Sequence, residues 1–384
     1  MKVNSTVAVV RCQSYDTLEV NECIKCLFAL LGGVEKFIQH GSRVLIKPNL
    51  LTDTEPDEAT TTHPEVVRAV IRALKSAGCH PFVADSPAMP VQLEKIWEKT
   101  GIKTVCKEED VPLLNLEKDG VRQFNIAGRF SFSIARAVLE ADAIINIPKV
   151  KTHMLTVLTC AVKNMYGVVP GYQKTTLHSR YPTAYEFSEL LVEIYKVARP
   201  VLNIADGIVG MCGDGPSAGK KIALGFLAGS PDGVMLDIAI CQILGIDPLS
   251  VPYLAQFLKG KDSQFYSSFE ITGDLIRKFS RKEFELPTSI VRRVIPGGIA
   301  RAVSRWVWIR PVFMDNCIRC GRCVSVCPAK ALTLTDDENH RLQKPQLDAK
   351  KCIECCCCHE ICPEQAIKME PSPLLRLVWK RKLE

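Results

Sequence analysis

Along the first 270 residues, short apolar runs alternate with longer stretches of helical periodicity. Residues 7–10, 43–46, 81–84, 143–147, 201–205 and 222–228 read as strands. Residues 18–37, 65–76, 91–100, 183–196 and 233–244 read as helices. His63-Pro64 places a proline at the first position of the second helix, and Gly78 follows its end. This alternation predicts an α/β fold, a mostly parallel sheet with flanking helices. The apolar run at residues 7–10 is too short for a signal peptide. No uninterrupted apolar run approaches the ~18 residues of a membrane span, so none is expected.

Polar residues gather where the strands end. Lys47-Pro48-Asn49 follows one run, Asp85-Ser86-Pro87 another, Pro148-Lys149-Val150-Lys151-Thr152-His153 a third, and Asp206-Gly207 a fourth. In open α/β sheets ligands bind outside the carboxyl ends of the strands, so these groups would share one rim. That rim would be cationic, through Lys47, Lys149, Lys151, His153 and Lys163, and suited to a carboxylate or phosphate. Asp85, Asp206 and Asp237 would supply counter-charges, carry protons or ligate a metal. An internal ion-pair network is the competing reading. The glycine-rich stretch from Asp206 to Lys221 fits neither phosphate-loop pattern: Pro216 interrupts the dinucleotide fingerprint, and Asp214 and Lys221 stand where a Walker loop needs Gly and Ser or Thr. It reads as a flexible active-site loop or an anion-binding nest.

Composition alters this picture in two ways. Net charge is +7 but local: between Asp274 and Pro311 nine cations face three anions, and four more cations lie in the tail after Pro371. This is a basic strap and a basic tail, with no base-reading module beside them, so nucleic acid is not an expected partner. The chain also holds 18 cysteines. Without an export signal these belong in a reducing, cytoplasmic setting, where a cysteine array binds metal or does redox work.

Eight of the cysteines form an internal repeat. Cys317-x2-Cys320-x2-Cys323-x3-Cys327-Pro328 recurs 35 residues later as Cys352-x2-Cys355-x2-Cys358-x3-Cys362-Pro363, with Cys356 and Cys357 as extra thiols. Each run precedes a short apolar strand. The pattern resembles the bacterial dicluster ferredoxin, a small α+β module with two 4Fe–4S clusters. The resemblance implies that Cys317, Cys320, Cys323 and Cys362 hold one cluster and Cys352, Cys355, Cys358 and Cys327 the other, because the fourth cysteine of each run ligates the opposite cluster. Cys356 or Cys357 could replace a neighbour as ligand. Cys23-x2-Cys26 falls mid-helix and reads as ordinary core or surface thiols.

Lys47-Pro48-Asn49, His63-Pro64, Asp85-Ser86, Pro148-Lys149-x-Lys151-Thr152-His153, Lys163-Asn164-x-x-Gly167 and Gly213-x-Gly215-Pro216 together resemble the "domain of unknown function 362" family. The resemblance implies iron–sulfur proteins of anaerobic prokaryotes and supplies no substrate. The expected organisation is an α/β domain at 1–272, a basic strap at 273–311, a ferredoxin domain at 312–371 and a basic tail at 372–384. The leading function is an oxidoreductase passing electrons between the clusters and an anionic small molecule. Lys47, Asn49, Lys149, Lys163, Asn164 and Asp206 would bind it, and His153, Lys151 and Asp85 would be catalytic. A ferredoxin, flavodoxin or reductase would be the redox partner. A ferredoxin-type carrier with a docking domain and a cluster-transfer factor are the alternatives.

Overall fold

The computed structural model describes residues 6–87, 93–261, 269–274, 276–280, 282–289, 306–336 and 343–377. Its strands are β1 (Thr6–Arg11), β2 (Arg43–Pro48), β3 (His80–Ala84), β4 (Leu113–Leu114), β5 (Val121–Ile126), β6 (Phe130–Ala135), β7 (Ala143–Ile147), β8 (Lys149–His153), β9 (Val157–Thr159), β10 (Leu202–Cys212), β11 (Lys220–Ser230) and β12 (Glu270–Gly273). The main sheet has ten strands in the order β12-β1-β11-β10-β7-β2-β3-β4, with β8 and β9 attached through β10. β10, β7, β2, β3 and β4 run parallel, while β11 is antiparallel to both of its neighbours. β5 and β6 form a separate hairpin.

Both faces of the sheet are covered, as a parallel sheet requires. Val7 and Val9 enter one core and Ala8 and Val10 the other; Leu45 likewise opposes Val44 and Ile46. Helices α1 (Thr17–Leu31), α2 (Pro64–Ser76), α3 (Leu93–Lys99) and α4 (Ile102–Glu108) cover one face. The hairpin, α5 (Arg136–Leu139), α6 (Ala161–Asn164), α7 (Gly171–Arg180), α8 (Ala184–Ala198), α9 (Gly233–Leu244) and α10 (Pro252–Leu258) lie on the other. Local chemistry sets the ends: Asp16 caps α1, and a reciprocal Thr183–Glu186 box caps α8.

Three expectations need correction. The first helix stops at Leu31 and does not reach residue 37, because Gly32 and Gly33 take φ of 102° and 92°. The polar run 149–153, expected only to follow the end of a strand, is itself strand β8, paired with β10 and β9. Its alternation is hidden because its inward side chains are charged. Asp206 lies within β10, and the glycine-rich stretch forms the β10–β11 hairpin and its turn, not a flexible loop. A Cβ on Gly215 would fall 2.3 Å from the Thr152 carbonyl oxygen, so that turn is packed against β8.

In the C-terminal domain β13 (Ile309–Phe313) pairs with β16 (Ile367–Pro371), and β14 (Leu332–Thr333) with β15 (Gln346–Leu347). The sequence repeat is also a backbone repeat. Arg319 and Glu354 both have φ 58°, Gly321 and Cys356 have 74° and 65°, and Lys330 and Gln365 have 48° and 50°. Cys356 therefore occupies the left-handed position that Gly321 fills in the first repeat. Among the basic residues, Arg281, Arg292, Arg293, Arg301, Arg305, Lys380, Arg381 and Lys382 lie outside the described residues, as does Val91 of the predicted third helix. No helix among the described residues is long and apolar enough to cross a membrane.

Candidate functional site at the seam between the domains

Most of the expected rim cations are neutralised where they stand. Lys47, at the end of β2, lies 2.8 Å from Asp85 Oδ1, and the other Asp85 oxygen accepts from the Leu50 N–H at 2.7 Å. Gly167 closes over this pair, where a Cβ would fall 2.0 Å from Asp85 Oδ1. Lys149 pairs with Asp206 at 2.9 Å, and Tyr15, stacked on His63, donates to the same carboxylate at 2.8 Å. Lys151 donates to the Thr60 carbonyl; burial, with Lys163 and Lys149 nearby, holds its ammonium well below the ordinary lysine range. Asp237 does not reach the rim. It accepts from the Ala161 and Val162 N–H groups at 2.7 and 3.1 Å, and burial raises it to about 6.

His153 spans the two domains. Its Nδ1 accepts from the Leu155 N–H at 3.0 Å, so the ring proton sits on Nε2, which faces Glu360 Oε1 at 3.1 Å. Burial and the Lys163 ammonium lower His153 to about 4. Burial alone would raise Glu360, but His153 and Lys163 hold it at about 2. At neutral pH this is a neutral imidazole beside a carboxylate.

Beside these pairs lies a cavity of about 90 Å³, walled by both domains. Of the expected residues it takes in Asn49, Asp85, Lys163 and Asn164; Lys47, Lys149, Lys151, His153 and Asp206 do not line it. Asn164 is held by a row of amides: Asn49 Nδ2 donates to Asn164 Oδ1 at 2.9 Å, Asn164 to Asn146 at 2.8 Å, and Asn146 to Asn203 at 2.8 Å. Thr159, Tyr166, Lys174 and His178 also line the cavity and were not anticipated. Lys174 and His178 stand four residues apart on α7, which places them on one helix face, a signal legible in the sequence. Burial lowers Lys174 to about 8 and His178 to about 4. Asn49 Oδ1, Thr159 Oγ1 and His178 Nδ1 are buried without a hydrogen-bond partner. Among the described residues Lys163 has no ion-pair partner within 4 Å; its ammonium stands over the Tyr166 ring. Unpaired polar atoms converging on one void are costly unless a ligand or water meets them.

The opposite wall is the C-terminal domain, through Val326, Cys357, Glu360 and Ile361. Arg322 clamps the seam at 2.8 Å from Asp53, which also pairs with Lys95 at 2.9 Å. We expect Arg322→Ala to cost the holoprotein roughly 2–3 kcal/mol in denaturant unfolding, below the ~3–5 of a fully broken buried pair because Lys95 still reaches Asp53. An unchanged midpoint would show that the clamp does not contribute to stability.

Cys317, Cys320, Cys323 and Cys362 line one void of that domain; Cys352, Cys355, Cys358 and Cys327, with Cys356, line a second. Cys357 lines neither. The Ala331 and Ala366 N–H groups donate to Cys327 Sγ and Cys362 Sγ, each at 3.2 Å, again one repeat apart. Among the described residues no three His, Cys, Asp or Glu side chains close on a point suited to a single ion. Four thiols standing back around a void fit a cubane cluster.

Residues 316–366 match the 4Fe–4S dicluster domain, so the module carries two 4Fe–4S clusters and serves electron transfer. Over 252 residues the chain is 37% identical to "Thylakoid-associated protein sll1697" of Synechocystis sp. (strain ATCC 27184 / PCC 6803 / Kazusa), covering 65% of this chain and 78% of that protein. Two solved structures, both 14% identical, resemble it loosely. The lactate racemase apoprotein of Thermoanaerobacterium thermosaccharolyticum has a TM-score of 0.40 over 62% of this chain and 56% of its own. A Thermotoga maritima protein has 0.35 over 53% and 52%. The chain thus spans little more than half of either. Residues 44–242, just over half of the 384, match the family described as Domain of unknown function (DUF362), and to that family this chain belongs.

Proposed function

We propose that the protein is an iron–sulfur oxidoreductase acting on a small anion bound in the cavity at the seam. One observation carries this reading: Lys163 and the unpartnered atoms of Asn49, Thr159 and His178 face the same void as Cys357 and Glu360 of the dicluster domain. A ligand there would be held by the α/β domain against the electron-carrying module. Cys317, Cys320, Cys323 and Cys362 would hold one cluster and Cys352, Cys355, Cys358 and Cys327 the other. The clusters supply one-electron steps.

Lys163 and Lys174 would attract the anion, while Asn49, Asn164 and Thr159 orient it. Asp85 fixes Lys47 and, with it, the floor of the cavity. Lys149, Asp206 and Lys151 hold β8 and β10 in place. His153 acts through Glu360, which it faces across the seam at 3.1 Å.

The pH dependence of binding tests this reading. Lys174 is charged below about 8 and loses its proton above that value. Calorimetry of the holoprotein with a panel of small carboxylates and oxyanions should therefore find a binder whose affinity is level below that pH. Above it, affinity should fall by up to about tenfold per pH unit. Lys174→Arg should keep the affinity and flatten the fall. The reading is overturned if no anion of the panel binds, or if binding ignores Lys174.

A further inference from the structure

The two cysteine loops share sequence pattern and backbone geometry, yet their surroundings are opposite. Ile318 of the first is 59% exposed, with Arg319 and Cys320 open beside it. Their counterparts Ile353 and Glu354 are partly covered, and Cys355 is only 8% exposed. One further pair of equivalent positions separates the repeats. Arg322 reaches across to Asp53, whereas Cys357 in the same place lines the cavity. Thr159 and His178, both more than nine-tenths buried, line that same cavity, and Thr159 Oγ1 and His178 Nδ1 have no hydrogen-bond partner.

We propose that the two clusters have separate places in the electron path. The cluster on Cys352, Cys355, Cys358 and Cys327 faces the cavity, with Cys357 as the positioning residue between Cys355 and the ligand. The cluster on Cys317, Cys320, Cys323 and Cys362 exchanges electrons at the surface. Each event moves one electron: a one-electron carrier protein loses it, the surface site gains it, and the cavity site receives it as the surface site is reoxidised.

Cluster potential depends on nearby charge, on hydrogen bonds to the sulfurs and on exposure. In a buried site a charge acts strongly, while water screens the same charge at an open one. Lys163 should therefore favour the reduced form of one cluster and leave the other nearly untouched, and a change at Cys357, on the same cavity wall, should be felt by that one cluster. An anion in the cavity would oppose that electron, and by linkage reduction would weaken anion binding.

The experiment is a redox titration of the anaerobic holoprotein, read by electron paramagnetic resonance. Lys163→Gln should lower one midpoint by about 59 mV, a tenfold change for a one-electron couple. Lys163→Met, which keeps the bulk of the stem, serves if the glutamine variant loses iron. Cys357→Ala should move the same midpoint, and Cys357→Ser, which keeps a polar group of similar size on the cavity wall, should recover most of it. The signal that stays in place should be the one relaxed by a soluble gadolinium chelate. The proposal is overturned if the two substitutions move different transitions, move both equally or move neither, or if the chelate relaxes the shifted signal. The titration needs no ligand, so its failure is distinct from failure of the anion-binding reading on which the linkage rests.

Discussion

Cys358→Ala should halve the iron of the reconstituted protein, from about eight to about four per chain, while Cys357→Ala should leave it at about eight. Four consecutive cysteines, Cys355 to Cys358, offer more than one register for the second loop. The backbone selects among them. Cys356 adopts the left-handed conformation that Gly321 takes in the first repeat, which aligns Cys355 with Cys320 and Cys358 with Cys323. Cys357 then falls at the Arg322 position and points away from the loop, lining the seam cavity and not the second void. Iron and acid-labile sulfide, counted after anaerobic reconstitution, decide the matter. Retention of iron by Cys358→Ala with its loss from Cys357→Ala would reverse the register.

Lys163 and Lys149 should respond to removal in opposite ways. Lys163→Ala should weaken anion binding about 10- to 100-fold, the worth of a charge-assisted hydrogen bond of ~1.5–3 kcal/mol, with iron content unchanged. Lys149→Ala should instead cost about 3–5 kcal/mol of stability, because it leaves Asp206 charged and fully buried. The contrast follows from their surroundings. Lys149 touches Asp206 at 2.9 Å and Tyr15 at 2.6 Å, whereas Lys163 faces the void. Calorimetry and denaturant melts on the same two variants separate the effects. Equal stability loss in both would mean that Lys163 is structural.

Much of the framework was legible in the chain. The apolar runs became strands because a sheet buried on both faces needs continuous hydrophobic positions, and β7 and β1 match their expected cores closely. The second helix begins at Pro64 as its proline foretold. Strand β8 was missed because Lys149, Lys151 and His153 carry no hydrophobic alternation, although all three are buried. The hairpin β5–β6 was missed for another reason: β5 is largely exposed and presents no apolar face to read. Lys174 and His178 were legible as a helix-face pair, but only the fold shows that α7 borders the rim.

The sequence by itself determined the dicluster module, because cysteine spacing, trailing prolines and the offset of 35 residues are all local properties of the chain. It also determined the α/β class and pointed to the rim where polar residues gather. Only the tertiary structure decided which rim residues are free to act. Lys47 meets Asp85, Lys149 meets Asp206, and His153 meets Glu360, each partner lying far away in sequence. A buried charge is set by what stands within a few ångströms of it, and no local pattern records that neighbour. Contact across the chain therefore left Lys163 facing the cavity and brought Cys357 against it from the other domain.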